Sequence, residues 1–468
     1  MTAEKSEHPK ISLFLAFSPL IIMAALVGVL NLWMGIDLKF VLVLSSIVAG
    51  IVAVYVGVSI KQLIDDFSEN IKKAFPAILI LIAIGGIVGS WMYSGTVPYL
   101  IYYGLHFIHP NFVLVSAFVV TAIVSTFTGT SWGSAATAGV AFMGIGFSFD
   151  IPLEMVAGAV ISGAVLGDKI SPVSDTTNIC AMAADVTVYE HIRGMLPNVL
   201  IAAALAIVGF TLLGMLLDPT QGQNENVAQL LDQLDAVYSF NIAMLLPPAI
   251  VFIGGYKGYH PVMVMILSSL AAVVIGMLSN DFTLAQGSEA MITGFNTSMI
   301  SGDMTVSSTL QTLLNRGGFD GMMTGAVLYC ILAIAFGSFL ESSGALNRIM
   351  HTLLGGVRSK FGLITTTFFA GATLNGVSGN AMFSILTVGQ LFRPSFRERK
   401  VPLPVLSRSM ENSMTLLESL LPWHVSAIYM SATLGIATVA YAPYALFNMI
   451  GIALFFVLVG RDLRKKRY

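Results

Sequence analysis

The chain has 468 residues, 56% of them apolar and 10% charged; its 44 glycines lift the apolar share to about 65%, against roughly 45–50% in soluble domains. So few charges cannot cover a water-facing surface, which excludes the soluble enzyme classes. A formal charge of −2 without any basic stripe excludes nucleic acid as a partner. The two cysteines, Cys180 and Cys330, sit in apolar segments and read as packing residues rather than a disulfide framework or metal site. The composition is that of an all-α polytopic membrane protein with the lipid bilayer as its solvent.

A helix crossing a hydrocarbon core of ~30 Å needs about 20 apolar residues. On that measure the chain predicts about ten spans, near 11–33, 38–60, 76–94, 153–185, 195–217, 238–256, 260–278, 322–342, 404–434 and 436–459. The polar first ten residues lead into span 11–33 without a small-residue cleavage site, so that helix is expected to be retained. Two further apolar stretches, 111–147 and 361–392, are interrupted by Gly, Ser, Thr or Asn and are read as re-entrant hairpins. Irregular backbone at that depth survives only where protein or a polar cavity satisfies it. Two spans contain a proline beside polar residues, at Pro172 and Pro422, and are read as broken helices.

Charge supplies the orientation. With both termini in the cytoplasm, 19 of the 23 lysines and arginines fall on the inner side: Lys5, Lys10, Lys61, Lys72, Lys73, Arg193, Lys257, three at 348–360, four at 393–400 and five in the basic tail 461–468. Lys39 and Arg316 fall outside, and Lys169 and Arg408 within spans. The external loop 218–237 carries Asp218, Glu225, Asp232 and Asp235 but no Lys or Arg. The asymmetry satisfies the positive-inside rule.

The halves also match in order. Gly89–Ser94 parallels Gly337–Ser342, Thr128–Gly133 parallels Asn375–Asn380, and Gly167–Pro172 parallels Leu417–Pro422, at offsets of 248, 247 and 250. Each half then has five crossings, an odd number, so residues 238–460 are expected to repeat 1–217 upside down. Hairpin 111–147 would enter from outside and hairpin 361–392 from inside. Paired interrupted segments in an inverted repeat point to a transporter site at the bilayer midplane.

The densest polar run in any span is Gly167–Asn178, whose middle lies near the bilayer centre. Broken ends there expose carbonyls and N–H groups, and a hard cation such as Na+ takes oxygen ligands. Candidate ligands are Asp168, Ser174, Asp175, Thr176, Thr177 and Asn178, with Na+ expected at Asp175 and its neighbours. A charge at a helix centre costs about 2.5–3.5 kcal/mol even on the lenient scale, so two buried aspartates favour function over packing. Glu418 holds the position equivalent to Asp168, as proton carrier or second ligand. Glu411 and His424 are candidates for a proton relay, although a lone histidine in a span is more often structural. Lys169 could serve as counter-charge, as a proton competitor for Na+ or as a carboxylate anchor. Hairpin-tip residues Thr128, Thr130, Ser131, Asn375, Ser378 and Asn380 would close on the broken helices.

An intramembrane serine protease is the remote alternative. Gly129–Gly133 fits G-x-S-x-G, and Gly376–Gly379 resembles the rhomboid serine motif, with His424 as base. Neither run has the strand-to-helix context of a hydrolase, and a catalytic dyad has no use for a symmetric twin. A gated channel is disfavoured because hairpins from both faces occlude a site.

The runs Gly129–Ser134 and Gly167–Thr177 strongly resemble the NhaC-type sodium/proton antiporters of bacteria, over nearly the whole chain. The resemblance implies a secondary antiporter of the bacterial inner membrane that exchanges Na+ for H+ and uses no cofactor beyond these coupling ions. One branch of the family exchanges malate-2H+ for Na+-lactate, so malate and lactate are candidate substrates beside a plain Na+(Li+)/H+ exchange. The wider superfamily implies a homodimer, with a mobile domain of hairpins and broken helices moving elevator-fashion against a scaffold. The topology has a direct check. Cysteines introduced by Asn226→Cys and Leu463→Cys should react with an impermeant thiol reagent from opposite faces, the first from outside; labelling from one face would break the span count.

Overall fold

The computed structural model describes residues 11–217, 224–300, 306–355, 357 and 359–464. The polar start, residues 218–223 of the external loop and the last four residues of the basic tail lie outside the described residues. No strand occurs among the described residues, only an isolated antiparallel bridge between Phe295 and Arg316.

The first half opens with α1 (Leu13–Leu26), α2 (Leu38–Tyr55) and α3 (Ile60–Tyr93). Helix α4 (Thr96–Phe107) precedes a helix–turn–helix of α5 (Val113–Thr128), α6 (Ser131–Ser134) and α7 (Val140–Ser148). The broken span follows as α8 (Leu153–Ile170) and α9 (Asp175–Ala184), and α10 (Val188–Leu217) closes the half. The second half begins with α11 (Asn224–Val237), α12 (Leu246–Tyr256) and α13 (Pro261–Ser279). Short helices α14 (Leu284–Ile292), α15 (Ser308–Leu314) and α16 (Phe319–Met322) lead to α17 (Leu328–Ser342) and α18 (Ala345–Gly355). The second helix–turn–helix is α19 (Lys360–Ser378) with α20 (Ala381–Glu398). The second broken span is α21 (Leu403–Glu418) with α22 (Val425–Leu434), and α23 (Thr438–Tyr441) and α24 (Leu446–Arg464) end the chain.

Seven described helices are long and apolar enough to cross a membrane, or up to nine if each of two bent pairs counts once. Helices α8, α9 and α21 of the broken spans fall outside that count because each is shorter than a crossing or carries charged residues, and α22 enters it only as the bent pair it makes with the segment 438–444. Segments read as loops hold further helix: α11 lies within 218–237, and α4, α14, α15 and α18 are each too short for a crossing.

The breaks have local chemical causes. Helix α5 stops at Gly129 and α19 at Gly379, both left-handed (φ 67° and 63°). Thr130 then caps α6, accepting from the Gly133 N–H at 3.3 Å, and Asn380 caps α20, accepting from Phe383 N–H at 3.1 Å. Ser174 caps α9 and His424 caps α22. Left-handed Asp185 and Gly435 end those two half-helices. Every one of these pairs stands 250 positions apart, as do Asp168 and Glu418. Gly95 and Gly344, the left-handed turns before α4 and α18, stand 249 apart. The tip register is therefore 250 rather than the 247 expected: Thr128 matches Ser378, and Ser131 matches Ala381. Three-residue slips of this kind arise because small polar strings align almost equally well in several frames.

Two packed groups of helices result. Helices α2, α3, α13 and α17 form one, while α5, α8, α9, α10, α19, α20, α21 and α24 form the other. The closest pairing is α5 along α8. A Cβ on Gly163 would come within 2.2 Å of the Phe118 carbonyl oxygen, and one on Gly167 within 2.3 Å of that of Ala122. Gly163 and Gly167 make a G-x-x-x-G stripe that lets the two backbones touch. Ser125 Oγ reinforces it by donating to the Ala164 carbonyl at 2.6 Å, and Ser171 Oγ by donating to that of Thr126 at 2.7 Å. Overpacking such a contact costs about 1–3 kcal/mol. Gly163→Leu and Gly167→Leu should each lower the thermal unfolding midpoint of the detergent-solubilised protein. Gly28→Leu, where a Cβ meets nothing within 4 Å, should leave it unchanged.

Candidate functional site

A cavity of about 610 Å³ lies where the two helix–turn–helix tips meet the two broken spans. Its walls include Thr128, Thr130 and Ser131 from the first tip, Ser378 and Asn380 from the second, and Asp168, Asp175, Thr176, Glu418 and His424 from the breaks. Four chain segments, far apart in sequence, thus bring three carboxylates into one space. Asp168 and Glu418 are each 8% exposed, whereas Asp175 opens to the cavity. The buried Oδ1 of Asp168 has no hydrogen-bond partner, and the Ser131 and Ser174 hydroxyls stand beside that carboxylate.

Side chains of its own sequence satisfy the backbone of the first break. Thr177 Oγ1 donates to the Asp168 carbonyl at 3.2 Å. Asn178 Nδ2 donates to the carbonyls of Pro172 and Ser174 at 2.9 and 2.6 Å. The Asp175 carboxylate accepts from the Thr176 N–H at 2.8 Å, at the first turn of α9, where the helix dipole favours a negative charge. Ser174, Thr177 and Asn178 therefore frame the cavity without lining it.

The first tip is clamped on the other half's α22, and the second on elements of its own half. Trp132 stacks on Tyr429 with ring centroids 4.1 Å apart, and the Tyr429 hydroxyl donates to the Trp132 carbonyl at 2.7 Å. Trp132 Nε1 donates to Ser426 Oγ at 3.3 Å. Trp423 Nε1 donates to the Gly376 carbonyl at 2.7 Å, and Asn375 Nδ2 reaches the Met414 carbonyl at 3.4 Å, so Asn375 lies behind its tip.

Two candidates stand apart from the cavity. Lys169, next to Asp168 on α8, does not line the cavity and donates to Thr415 Oγ1 at 2.9 Å with Glu411 Oε1 at 3.9 Å. Glu411 is fully buried with it. His424 lines the cavity, but both ring nitrogens are engaged. Nδ1 accepts from the Ser426 N–H at 3.1 Å, which leaves the proton on Nε2 to be donated to Asn375 Oδ1 at 3.2 Å. Ser378 Oγ meets Ser384 Oγ at 2.9 Å instead of an imidazole, so no serine–histidine dyad forms.

The sequence did not single out the facing wall. Asn70 and Lys73 of α3, Ser338 and Glu341 of α17, and His260 before α13 line the same cavity. Asn70 Nδ2 donates to both Ser338 Oγ and Glu341 Oε2 at 3.1 Å. The available signal was an acid at the end of the expected span 322–342 and an amide on α3 ahead of the expected span 76–94.

A helical membrane protein whose broken helices gather carboxylates around a central cavity is built as a secondary transporter. The chain belongs to the Na+/H+ antiporter family, whose model matches residues 7–215 and 163–461. It is 41% identical to an uncharacterized Na+/H+ antiporter of Haemophilus influenzae over 446 residues, 95% of each chain. It is 32% identical to the malate-2H+/Na+-lactate antiporter of Bacillus subtilis, over 93% of this chain and 92% of that one. It is 30% identical to the Na+/H+ antiporter NhaC of the same organism, over 90% and 91%. The relatives are transporters of Na+ and H+, not enzymes, and the chain is an integral membrane protein.

Proposed function

We propose that this protein exchanges Na+ for H+ at Asp168 and Asp175, with Glu418 as a second ligand or proton carrier. The observation that carries the reading is the meeting of these three carboxylates with both helix–turn–helix tips in one cavity. Ionised Asp168 and Asp175 would hold Na+ together with the Thr176 hydroxyl and nearby carbonyls, and protonation would release it. Two aspartates on consecutive half-helices cannot both stay ionised without a cation between them, because like charges at short range in a low-dielectric site repel strongly. One site therefore serves the two ions in turn, which is what makes the flux an exchange.

The architecture supports an inverted repeat in which the two tips are re-entrant hairpins entering from opposite faces. The 250-residue recurrence of caps and left-handed turns favours it, as does the repeated order of long helix, short helix, hairpin, broken helix and final helix. The charge asymmetry assigns Lys73 and His260 to the cytoplasmic side, so the cavity opens inward, with both termini in the cytoplasm of a bacterial inner-membrane protein. In this reading the group of α5, α8, α9 and α19–α22 moves elevator-fashion against α2, α3, α13 and α17, in a homodimer. Asp175→Asn should abolish Na+-dependent transport in proteoliposomes while leaving insertion and folding intact. Wild-type Na+ affinity in that variant would rule Asp175 out as a ligand.

A small carboxylate as a further substrate is the second reading. The cavity has room for about 20 waters at ~30 Å³ each, far more than one ion needs. The N-terminus of the 18-residue helix α20, capped by Asn380, borders it, and Lys73 faces it from the opposite wall. Malate exchange by the Bacillus relative points the same way. In a carboxylate exchanger, malate should shield the thiols of both Ser131→Cys and Ser378→Cys from modification, more strongly with Na+ or at low pH. Protection by Na+ alone, with malate and lactate inert, would leave a plain Na+(Li+)/H+ antiporter.

A further inference from the structure

Away from the cavity lining lies a second group of ionisable side chains. Lys169 (α8), His191 (α10) and Glu411 (α21) are 1%, 0% and 0% exposed, and none of them lines the cavity. Lys169 Nζ lies 3.9 Å from Glu411 Oε1, and His191 Nε2 lies 4.0 Å from Glu411 Oε2. Both carboxylate oxygens and both imidazole nitrogens lack a hydrogen-bond partner. Leaving a buried polar group unmatched costs about 1–3 kcal/mol, more if it is charged, so four such atoms at one point in a packed core call for a function.

We infer that Glu411 and His191 form a proton-holding site, sealed from the Na+ cavity and served from the end of α10. Lys169 is its fixed counter-cation, already tied to Thr415 Oγ1. The route is short. His191 lies in the first turn of α10, next in the chain to the exposed Tyr189 and Glu190, and its imidazole reaches to 4.0 Å from Glu411. A proton taken up at the imidazole passes from Nε2 to Glu411 Oε2, which leaves a neutral imidazole and a neutral carboxyl group. The cluster then changes from no net charge to +1, carried by the Lys169 ammonium.

The surroundings restrict the groups that act on Glu411. Lys169 faces it from α8, Cys180 from α9 and His191 from α10, while Asp168, Asp175 and Glu418 act from the cavity side. On α21 itself, Arg408 lies one turn away and donates to the Gly194 carbonyl at 3.4 Å. Helices α19, α20 and α24 also pack on α21 and make no ion pair with Glu411 among the described residues. Asp168 and Lys169 are chain neighbours about 100° apart around one helix, the first lining the cavity and the second not, and the charges of Asp168 and Glu411 act on each other. Positive charge arriving at Asp168 is therefore felt at Glu411 and drives its proton off. Na+ would then displace a proton that never shares its path.

The inference goes beyond the Na+ site, and its primary readout needs no Na+. Protons taken up by the purified full-length protein after a downward pH jump should fall by about one per chain in Glu411→Gln, the expected loss of one titrating group. Glu411→Asp, which keeps an acid, should restore the count. In His191→Gln the count should persist while uptake at this site slows by about 10²-fold, the contribution expected of a positioned proton donor. A merely structural role for either residue predicts wild-type proton count and wild-type rate in any variant that folds. A wild-type count in Glu411→Gln overturns the inference; if that variant does not assemble, wild-type uptake speed in His191→Gln does so instead. Sodium-binding calorimetry separates the two ideas. A protein that binds no Na+ in any variant overturns the cavity reading alone. Wild-type Na+ binding in Glu411→Gln with an unchanged proton count overturns the present inference alone.

Discussion

A helix broken inside a bilayer leaves carbonyl and amide groups that lipid cannot solvate, and each unsatisfied group costs several kcal/mol. Two such breaks, after Ile170 and after Glu418, govern the rest of this chain. Each is closed by side chains from its own sequence: Thr177 and Asn178 tie the first, and Ser174 and His424 cap the helices that resume. The second hairpin seals the second break through Trp423 and Asn375, and Ser171 fastens the first break to α5. Once the backbone is satisfied in this way, the carboxylates of Asp168, Asp175 and Glu418 are free to face the cavity. Function depends on that division of labour, because a hydroxyl spent on a carbonyl is not available to an ion.

The same constraint explains why the first tip reaches across to an element of the other half. Trp132 leans on Tyr429 of α22 although 297 positions separate them, and the Tyr429 hydroxyl donates to the Trp132 carbonyl. A tip that carried its ligands on an unsupported turn would not hold them in place. Aromatic stacking with a hydroxyl clamp fixes the tip at little entropic cost, since Trp and Tyr have few rotatable bonds. Gly163 and Gly167 do the corresponding work along α8 by bringing α5 into backbone contact.

Much of this was legible in the sequence, for identifiable reasons. Pro172 and the run of Ser, Asp, Thr and Asn after it announce a break at mid-span, and the structure breaks there. Gly129 and Gly379 mark the tips because a left-handed residue is needed to stop one helix and start another. The register between the tips was not legible: strings of small polar residues fit at 247 as readily as at 250, and only the caps distinguish the frames. The helices α4 and α18 escaped because neither is long enough to register as a span. The wall formed by Asn70, Lys73, Ser338 and Glu341 escaped for a different reason. Its polar residues sit where long helices run out of the apolar zone, and nothing local says that such ends face a cavity rather than water.

The placement of the two histidines shows how context decides chemistry that residue type leaves open. His424 borders the cavity, beside Glu418, and so looked the better proton carrier from sequence. Its ring is fully employed: one nitrogen accepts a backbone N–H as a helix cap, and the other donates to Asn375. Protonation would force the accepting nitrogen to become a donor and would break the cap of α22. His191 has no such obligations; both its nitrogens are unmatched, and the nearest acceptor is a buried carboxylate at 4.0 Å. An imidazole can relay protons only if it is free to change partners at both nitrogens. By that criterion the cavity histidine belongs to the framework that shapes the cavity. The hidden one has the freedom that proton transfer requires, and it stands off the cavity that the carboxylates line.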